Sequence, residues 1–130
     1  LFPLQGGRPP EPGDEATLVQ IGRTLGRLHG VGATRPFRHR PALDVEAMAE
    51  RPVAWLLETG WIPPSLEENF AALCNLLLDE MELAFERAGE LAQLRLHGDC
   101  HPGNLLWREG AVHFVDLDDA ITGPAMQDLW

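Results

Sequence analysis

The interval between Asn104 and Asp116 constrains this chain more than any other feature. Asn104 to Arg108 ("NLLWR") and Val112 to Asp116 ("VHFVD") are short apolar runs separated only by "EGA". Such runs read as the two strands of a β-hairpin, with its turn at Glu109–Ala111. Residues paired in an antiparallel ladder keep a constant sum, so this turn pairs Arg108 with Val112, Leu106 with Phe114 and Asn104 with Asp116. Directly opposed residues have Cβ atoms about 4.5–5.5 Å apart. A carboxamide and a carboxylate are thereby expected side by side at the open end of the hairpin. A slip of one residue would undo that alignment.

Paired oxygen donors of this kind suit a hard divalent cation. Mg²⁺ takes one or two protein oxygens, keeps waters, and draws its other ligands from substrate phosphates. Asp99 lies in "HGDCHPGN", His97 to Asn104, the loop that feeds the same open end. It could accept the proton of a hydroxyl nucleophile. Base, metal and positioned phosphate are the parts of phosphoryl transfer from ATP to an alcohol. The bland alternative has His97, Asp99 and His101 merely stabilising a tight turn; their company with Asn104 and the Asp-rich "VDLDD" argues against it. A zinc site is a second alternative, since His, Asp and Cys are all zinc ligands. Gly98, Pro102 and Gly103 make the segment a loop, however, and no second Cys/His pair stands at zinc spacing. A dimetal phosphoesterase also uses a "GD.H" element, but would need further Asp, Asn and His stations downstream. His113 reads as a strand residue rather than a ligand.

Composition narrows the setting. A net charge of −10 argues against a general nucleic-acid binder, which needs a basic surface for phosphates. No apolar run approaches the roughly 20 residues that span a bilayer, and no basic-then-apolar leader is present. A cytoplasmic, monomeric protein is expected, with no nucleic-acid or membrane partner. Cys74 and Cys100 sit in unrelated contexts, which fits a reducing compartment better than a disulfide framework. A lowered thiol pKa would let Cys100 sense oxidants; the simpler reading has it filling space under the loop. The chain starts at Leu1 without Met and stops at apolar Leu129–Trp130, whereas termini tend to be polar. It reads as a piece of a longer protein.

Upstream of the loop the pattern is helical. "QGGRPPEPG", Gln5 to Gly13, is a connector. A helix is expected from about Glu15 to His29, capped by Asp14, with Leu18, Ile21, Leu25 and Leu28 on one face and Gly30 ending it. Gly22 and Gly26 would leave a smooth face for close backbone packing. The loop carrying Arg35, Arg38, His39 and Arg40 is the only locally basic segment, either solvated or in contact with phosphate or an acidic substrate. A short helix from Val45, interrupted near Pro52, runs to Thr59, with Trp55 and Trp61 anchoring it to the core. Ser65 and Glu68 form a capping box for a helix to Ala88. Phe70, Leu73, Leu77, Met81, Ala84 and Phe85 make its apolar face, Cys74 lies beside that face, and Gly89 stops it. Helices followed by a small hairpin make an α+β fold.

"HGDCHPGNLLW", "FVDLDDA" and "GPAMQDLW" together resemble the catalytic region of the aminoglycoside phosphotransferase/choline kinase superfamily, most closely its bacterial serine/threonine protein-kinase branch linked to stress responses. "FPLQGGR" is similar to that family's interlobe hinge and "IGRTLGRLH" to its first large-lobe helix, so most of the chain is covered. The resemblance implies the large, C-terminal lobe of a protein-kinase-like fold: residues 1–13 as hinge and connector, 14–130 as a partial lobe. It implies Asp99 as catalytic base and Asn104 and Asp116 as Mg²⁺ ligands, Asp116 also serving catalysis. The Asp99-to-Asn104 spacing is that of the protein-kinase catalytic loop. His101 stands where those kinases carry a lysine and would approach the transferred phosphate of ATP. Asp128 would brace the catalytic loop; Asp118 and Asp119 would be hydrogen-bond partners within theirs. Two departures matter: Gly98 replaces an Arg, and the short interval from Asp116 to Asp128 leaves no room for a conventional activation segment. The Gly-rich loop and strand lysine of a small lobe, and the later large-lobe helices, are not in this sequence, so the isolated chain is expected to be inactive. The acceptor expected is Ser/Thr of a protein. A small alcohol (aminoglycoside, choline or homoserine), or a non-catalytic truncated binding module, stays open.

Overall fold

The computed structural model describes residues 6–11 and 13–129. Most of the expected hinge (Leu1–Gln5), Pro12 and the terminal Trp130 lie outside the described residues. The chain forms two compact units, Leu1–Arg40 with Ala92–Trp130, and Pro41–Leu91.

In the first unit, α1 spans Glu15–Gly32. Asp14 caps it as expected: its carboxylate accepts from the backbone of Ala16 and Thr17 and from the Thr17 hydroxyl at 2.9–3.3 Å. These bonds stabilise the charged form and hold the Asp14 carboxyl below its usual range, the Thr17 hydroxyl contributing most. The helix runs past Gly30, where an end was expected, and stops where it meets the first strand. A side chain on Gly32 would stand 2.2 Å from the Arg95 carbonyl oxygen. The close backbone approach expected at Gly22 and Gly26 is therefore made at Gly32 instead; beside the other two there is open space.

Strand β1 (Leu94–Leu96) precedes the polar loop, and a 3₁₀ turn, Pro102–Asn104, leads into β2 (Leu105–Arg108). β3 is Ala111–Phe114, and β4, Ile121–Gly123, is a strand that the sequence pattern did not reveal. β2 pairs antiparallel with β3, and β1 with β4. The connector residue Arg8 bridges Trp107, donating to and accepting from it at 3.1 and 2.7 Å. The hairpin register differs by one from expectation: Arg108 pairs with Ala111, Trp107 with Val112, Leu105 with Phe114. The turn is two residues, not three. Glu109 and Gly110 both take positive φ, 53° and 80°, the conformation whose twist suits a two-residue hairpin. Leu25, Leu96, Leu105, Val112, Ala120 and Ile121 are buried. Burial of each large aliphatic side chain among them stabilises the unit by about 1.5–3 kcal/mol.

The second unit is helical. Asp44 accepts from the Ala47 backbone at 2.7 Å and starts a wide π turn, Glu46–Glu50, that runs into α2, Arg51–Glu58. Pro52 sits in the first turn of α2, where its missing N–H costs nothing. Trp55 and Trp61 do not anchor a core. They are 52% and 70% exposed and stack on each other with centroids 6.1 Å apart. α3 spans Pro64–Ala88 and ends at Gly89 with φ 68°. It starts at Pro64, which its fixed φ suits to a first helical position, so Ser65 lies inside the helix and makes no cap. Its half-buried side runs through Phe70, Cys74, Leu78, Met81 and Phe85, while Leu73 and Leu77 are more than half exposed. The apolar face is turned from the one expected, and Cys74 belongs to it.

Candidate active site

The loop from His97 to Asn104 is held from behind by one carboxylate. Asp128, at the end of a 3₁₀ turn Ala125–Asp128, has a fully buried side chain. Its Oδ2 accepts from the backbone N–H of His97 at 3.0 Å and its Oδ1 from that of Gly98 at 2.9 Å. Oδ2 also meets His29 Nε2, at the end of α1, at 2.8 Å. Asp128 thus ties α1, β1 and the loop together, as the resemblance implies. His29 was not singled out from the sequence; its position after an apolar helix face, in "RLHG", was the available signal.

His97 is completely buried. Its Nε2 bonds to the Val115 carbonyl at 2.9 Å, and its Nδ1 lies 3.4 Å from the Asp99 backbone N–H. These two bonds select the tautomer with the proton on Nε2. The ring also leans on Phe114, with centroids 5.7 Å apart. His97 therefore supports the loop and connects it to the strand end that precedes Asp116.

Gly98 explains a departure from the family pattern. Its φ is +87°, and a Cβ there would fall 2.1 Å from the Asp119 carbonyl oxygen. No other residue fits both the left-handed backbone and that approach. The segment after Asp116 is consequently pressed against the loop that carries Asp99.

Asn104 is buried, and its Nδ2 donates to both the carbonyl oxygen and Oδ2 of Asp99 at 2.9 Å. His101 approaches the same Oδ2 through Nε2 at 3.3 Å, while its Nδ1 accepts from Gly103 N–H at 3.0 Å. Among the described residues, Asp99 Oδ1 and Asn104 Oδ1 receive no donor. Asp99, His101 and Asn104 are therefore brought together with one open oxygen on each of the two acceptor side chains.

Asp116 is placed differently from the expected pairing. The Val115 N–H donates to the Asn104 carbonyl at 3.0 Å, so Val115, not Asp116, faces Asn104. The shift follows from the two-residue turn. Asp116 is the next residue, exposed, with φ +60°, so the chain leaves the ladder there in a left-handed bend. Asp118 and Asp119 make their contacts through backbone carbonyls: Asp118 O accepts from Arg40, and Asp119 O packs on Gly98.

Among the described residues no three His, Cys, Asp or Glu side chains converge to hold a metal on their own. Asn104 and Asp116 supply the oxygen donor types that Mg²⁺ takes alongside water and phosphate. Cys100, beside Asp99, is not activated. Burial above all, then the charges of Asp128 and Asp99, push its thiol up to about 11. Thiolate chemistry needs the opposite shift, so the space-filling reading of Cys100 stands over redox sensing.

A loop braced by a buried aspartate, with a carboxamide fastened to a carboxylate, is the arrangement of a kinase-like phosphotransferase. The chain belongs to the phosphotransferase enzyme family, whose model matches residues 1–130. It is similar to stress response kinase A of Salmonella choleraesuis (strain SC-B67), at 42% identity over all 130 residues. Serine/threonine protein kinase RdoA of Salmonella typhimurium is also 42% identical, and stress response kinase A of Escherichia coli (strain K12) 39% identical, again over the whole chain. The chain spans 39% of the length of these relatives. Membership implies a kinase-like fold, and the α+β architecture, with three α-helices and two small antiparallel sheets among the described residues, agrees with it. No helix among the described residues is long and apolar enough to cross a membrane.

Proposed function

We propose that this chain is the large-lobe part of a kinase that moves the γ-phosphate of ATP to a hydroxyl, with Ser/Thr of a protein as acceptor. The observation that carries the reading is the double bond of Asn104 Nδ2 to Asp99, at 2.9 Å to each oxygen. It fixes the carboxylate through Oδ2 and leaves Oδ1 to accept a proton. Asp99 Oδ1 takes the proton of the acceptor hydroxyl as its oxygen bonds to the γ-phosphorus and the bond to ADP breaks. Asn104 Oδ1 and the Asp116 carboxylate would hold Mg²⁺, which when bound neutralises charge on the phosphates. His101 Nε2 stands 3.3 Å from Asp99 Oδ2 and would approach the transferred phosphate. Two of the three relatives named above are called stress response kinase A and the third a serine/threonine protein kinase, which supports the protein acceptor. Such an enzyme works as a cytoplasmic monomer, where ATP is available, and needs the nucleotide-clamping lobe of the full-length protein.

The test is Asp99→Ala in the full-length protein. Transfer should disappear while Mg·ATP still binds; unchanged turnover would remove Asp99 from the role of base. Labelled ATP offered with a protein panel and a panel of aminoglycosides, choline and homoserine identifies the acceptor. Label entering only a small alcohol would overturn the protein-kinase reading and keep the chemistry.

A further inference from the structure

Asp116 is exposed and left-handed, and a residue so placed needs something to hold it. The ladder ends at Val115, and the segment that follows carries three carboxylates, Asp116, Asp118 and Asp119, within four residues. Their mutual repulsion works against a compact turn. The turn is nevertheless closed: Ala120 N–H donates to the Leu117 carbonyl at 3.2 Å.

Arg40 explains how. One guanidinium nitrogen, Nη1, donates to the carbonyls of both Asp118 and Ala120, the second at 3.3 Å. On another side the Asp119 carbonyl is seated against Gly98, so closely that a Cβ would be excluded. Three successive carbonyls are thus engaged, two by Arg40 and one by the residue adjoining Asp99. β4 then fastens the end of the turn, with Ile121 paired to Leu96. The cation also offsets the turn's own negative charge. In the sequence Arg40 belongs to a basic loop whose expected role was solvation or contact with an anion; it binds backbone of this chain instead.

We infer that Arg40 is the positioning residue for Asp116. It sets where the Asp116 carboxylate stands relative to Asp99 and Asn104, and so how well the pair Asn104–Asp116 accepts a divalent cation. The inference rests on the metal-ligand role proposed above for Asp116. Arg40 touches neither nucleotide nor acceptor in this role and acts only through the turn.

Mn²⁺ binding with ADP, followed by electron paramagnetic resonance on the full-length protein, provides the test, with metal-free ADP affinity measured in parallel. Arg40→Ala should weaken Mn·ADP by about tenfold, in the range expected for losing a residue that orients a metal ligand. Metal-free ADP affinity should be unchanged. Arg40→Lys keeps the charge and reaches one carbonyl, and should recover part of the loss. Wild-type Mn·ADP affinity in Arg40→Ala would overturn the inference. So would an equal loss with and without metal, which would make Arg40 a scaffold residue. Arg40 is exposed, so both variants should fold; if Arg40→Ala does not, wild-type Mn·ADP affinity in Arg40→Lys despite faster amide exchange across 117–121 overturns the inference. Asp116→Ala separates the two readings. If it leaves Mn·ADP binding intact, the metal-ligand role itself fails. If it abolishes binding while Arg40→Ala does not weaken it, only the positioning role fails.

Discussion

Asn104 Nδ2 donates to two oxygens of one residue, the carbonyl and Oδ2 of Asp99, at 2.9 Å each. A single side chain therefore fixes both the backbone and the carboxylate of the proposed base. A hydrogen bond to a charged group contributes about 1.5–3 kcal/mol. Asn104→Ala should lower kcat of the full-length enzyme by at least roughly tenfold from loss of this bond alone. Asn104→Asp would face Asp99 with a like charge and should be worse. Steady-state kinetics of the two variants beside wild type checks the order; wild-type kcat in Asn104→Ala would show that the bond does not matter.

Asp128, its side chain fully buried, accepts from His97 N–H and Gly98 N–H and meets His29. Removing it leaves these groups without their acceptor. Asp128→Ala should cost about 3–5 kcal/mol in chemical denaturation. His29→Ala should cost less, and a double-mutant cycle should show coupling of about 0.5–3 kcal/mol between the two. Additive effects would mean that the 2.8 Å contact contributes nothing of its own.

Gly98→Ala meets two obstacles, φ +87° and an oxygen 2.1 Å from the new Cβ. The variant should lose roughly 2 kcal/mol or more. The displaced Asp119 segment should also carry Asp116 with it, so turnover should fall further than the melting temperature suggests. A stable, fully active Gly98→Ala would contradict the tight packing of the two loops.

Cys100 has its thiol pushed up to about 11 from an ordinary 9.0 by burial and by Asp128 and Asp99. A raised pKa keeps the protonated thiol dominant across neutral pH, with about a hundredfold less thiolate than an unperturbed cysteine. Alkylation should therefore be slow at pH 7–8 and quicken by about tenfold per pH unit until the pH approaches the raised value. Mass spectrometry of iodoacetamide adducts checks this; rapid labelling of Cys100 at pH 7 would reverse the conclusion on redox sensing.

Neighbouring residues in the sequence were enough for several features. Asp14 before an apolar-periodic run marks the start of α1, because the cap satisfies N–H groups two and three residues away. Gly89 marks the end of α3, since a left-handed backbone is cheap only for glycine. The spacing of Asp99 and Asn104 marks the candidate site, because one short loop brings both together. The capping box failed at Ser65, where Pro64 already supplies a preset first turn.

Tertiary structure decided what depends on distant partners. The hairpin register turned on Glu109 adopting positive φ, which a non-glycine residue does not advertise, and that single slip put Val115 opposite Asn104. β4 is three residues long, too short to show alternation, and exists because β1 offers it hydrogen bonds. His29 meets Asp128 across 99 residues, and Arg40 meets Ala120 across 80. The candidate site was written locally, because its loop is a run of consecutive residues. Its support was not, because a buried carboxylate and a backbone-binding guanidinium find their partners only once packing has brought remote segments together.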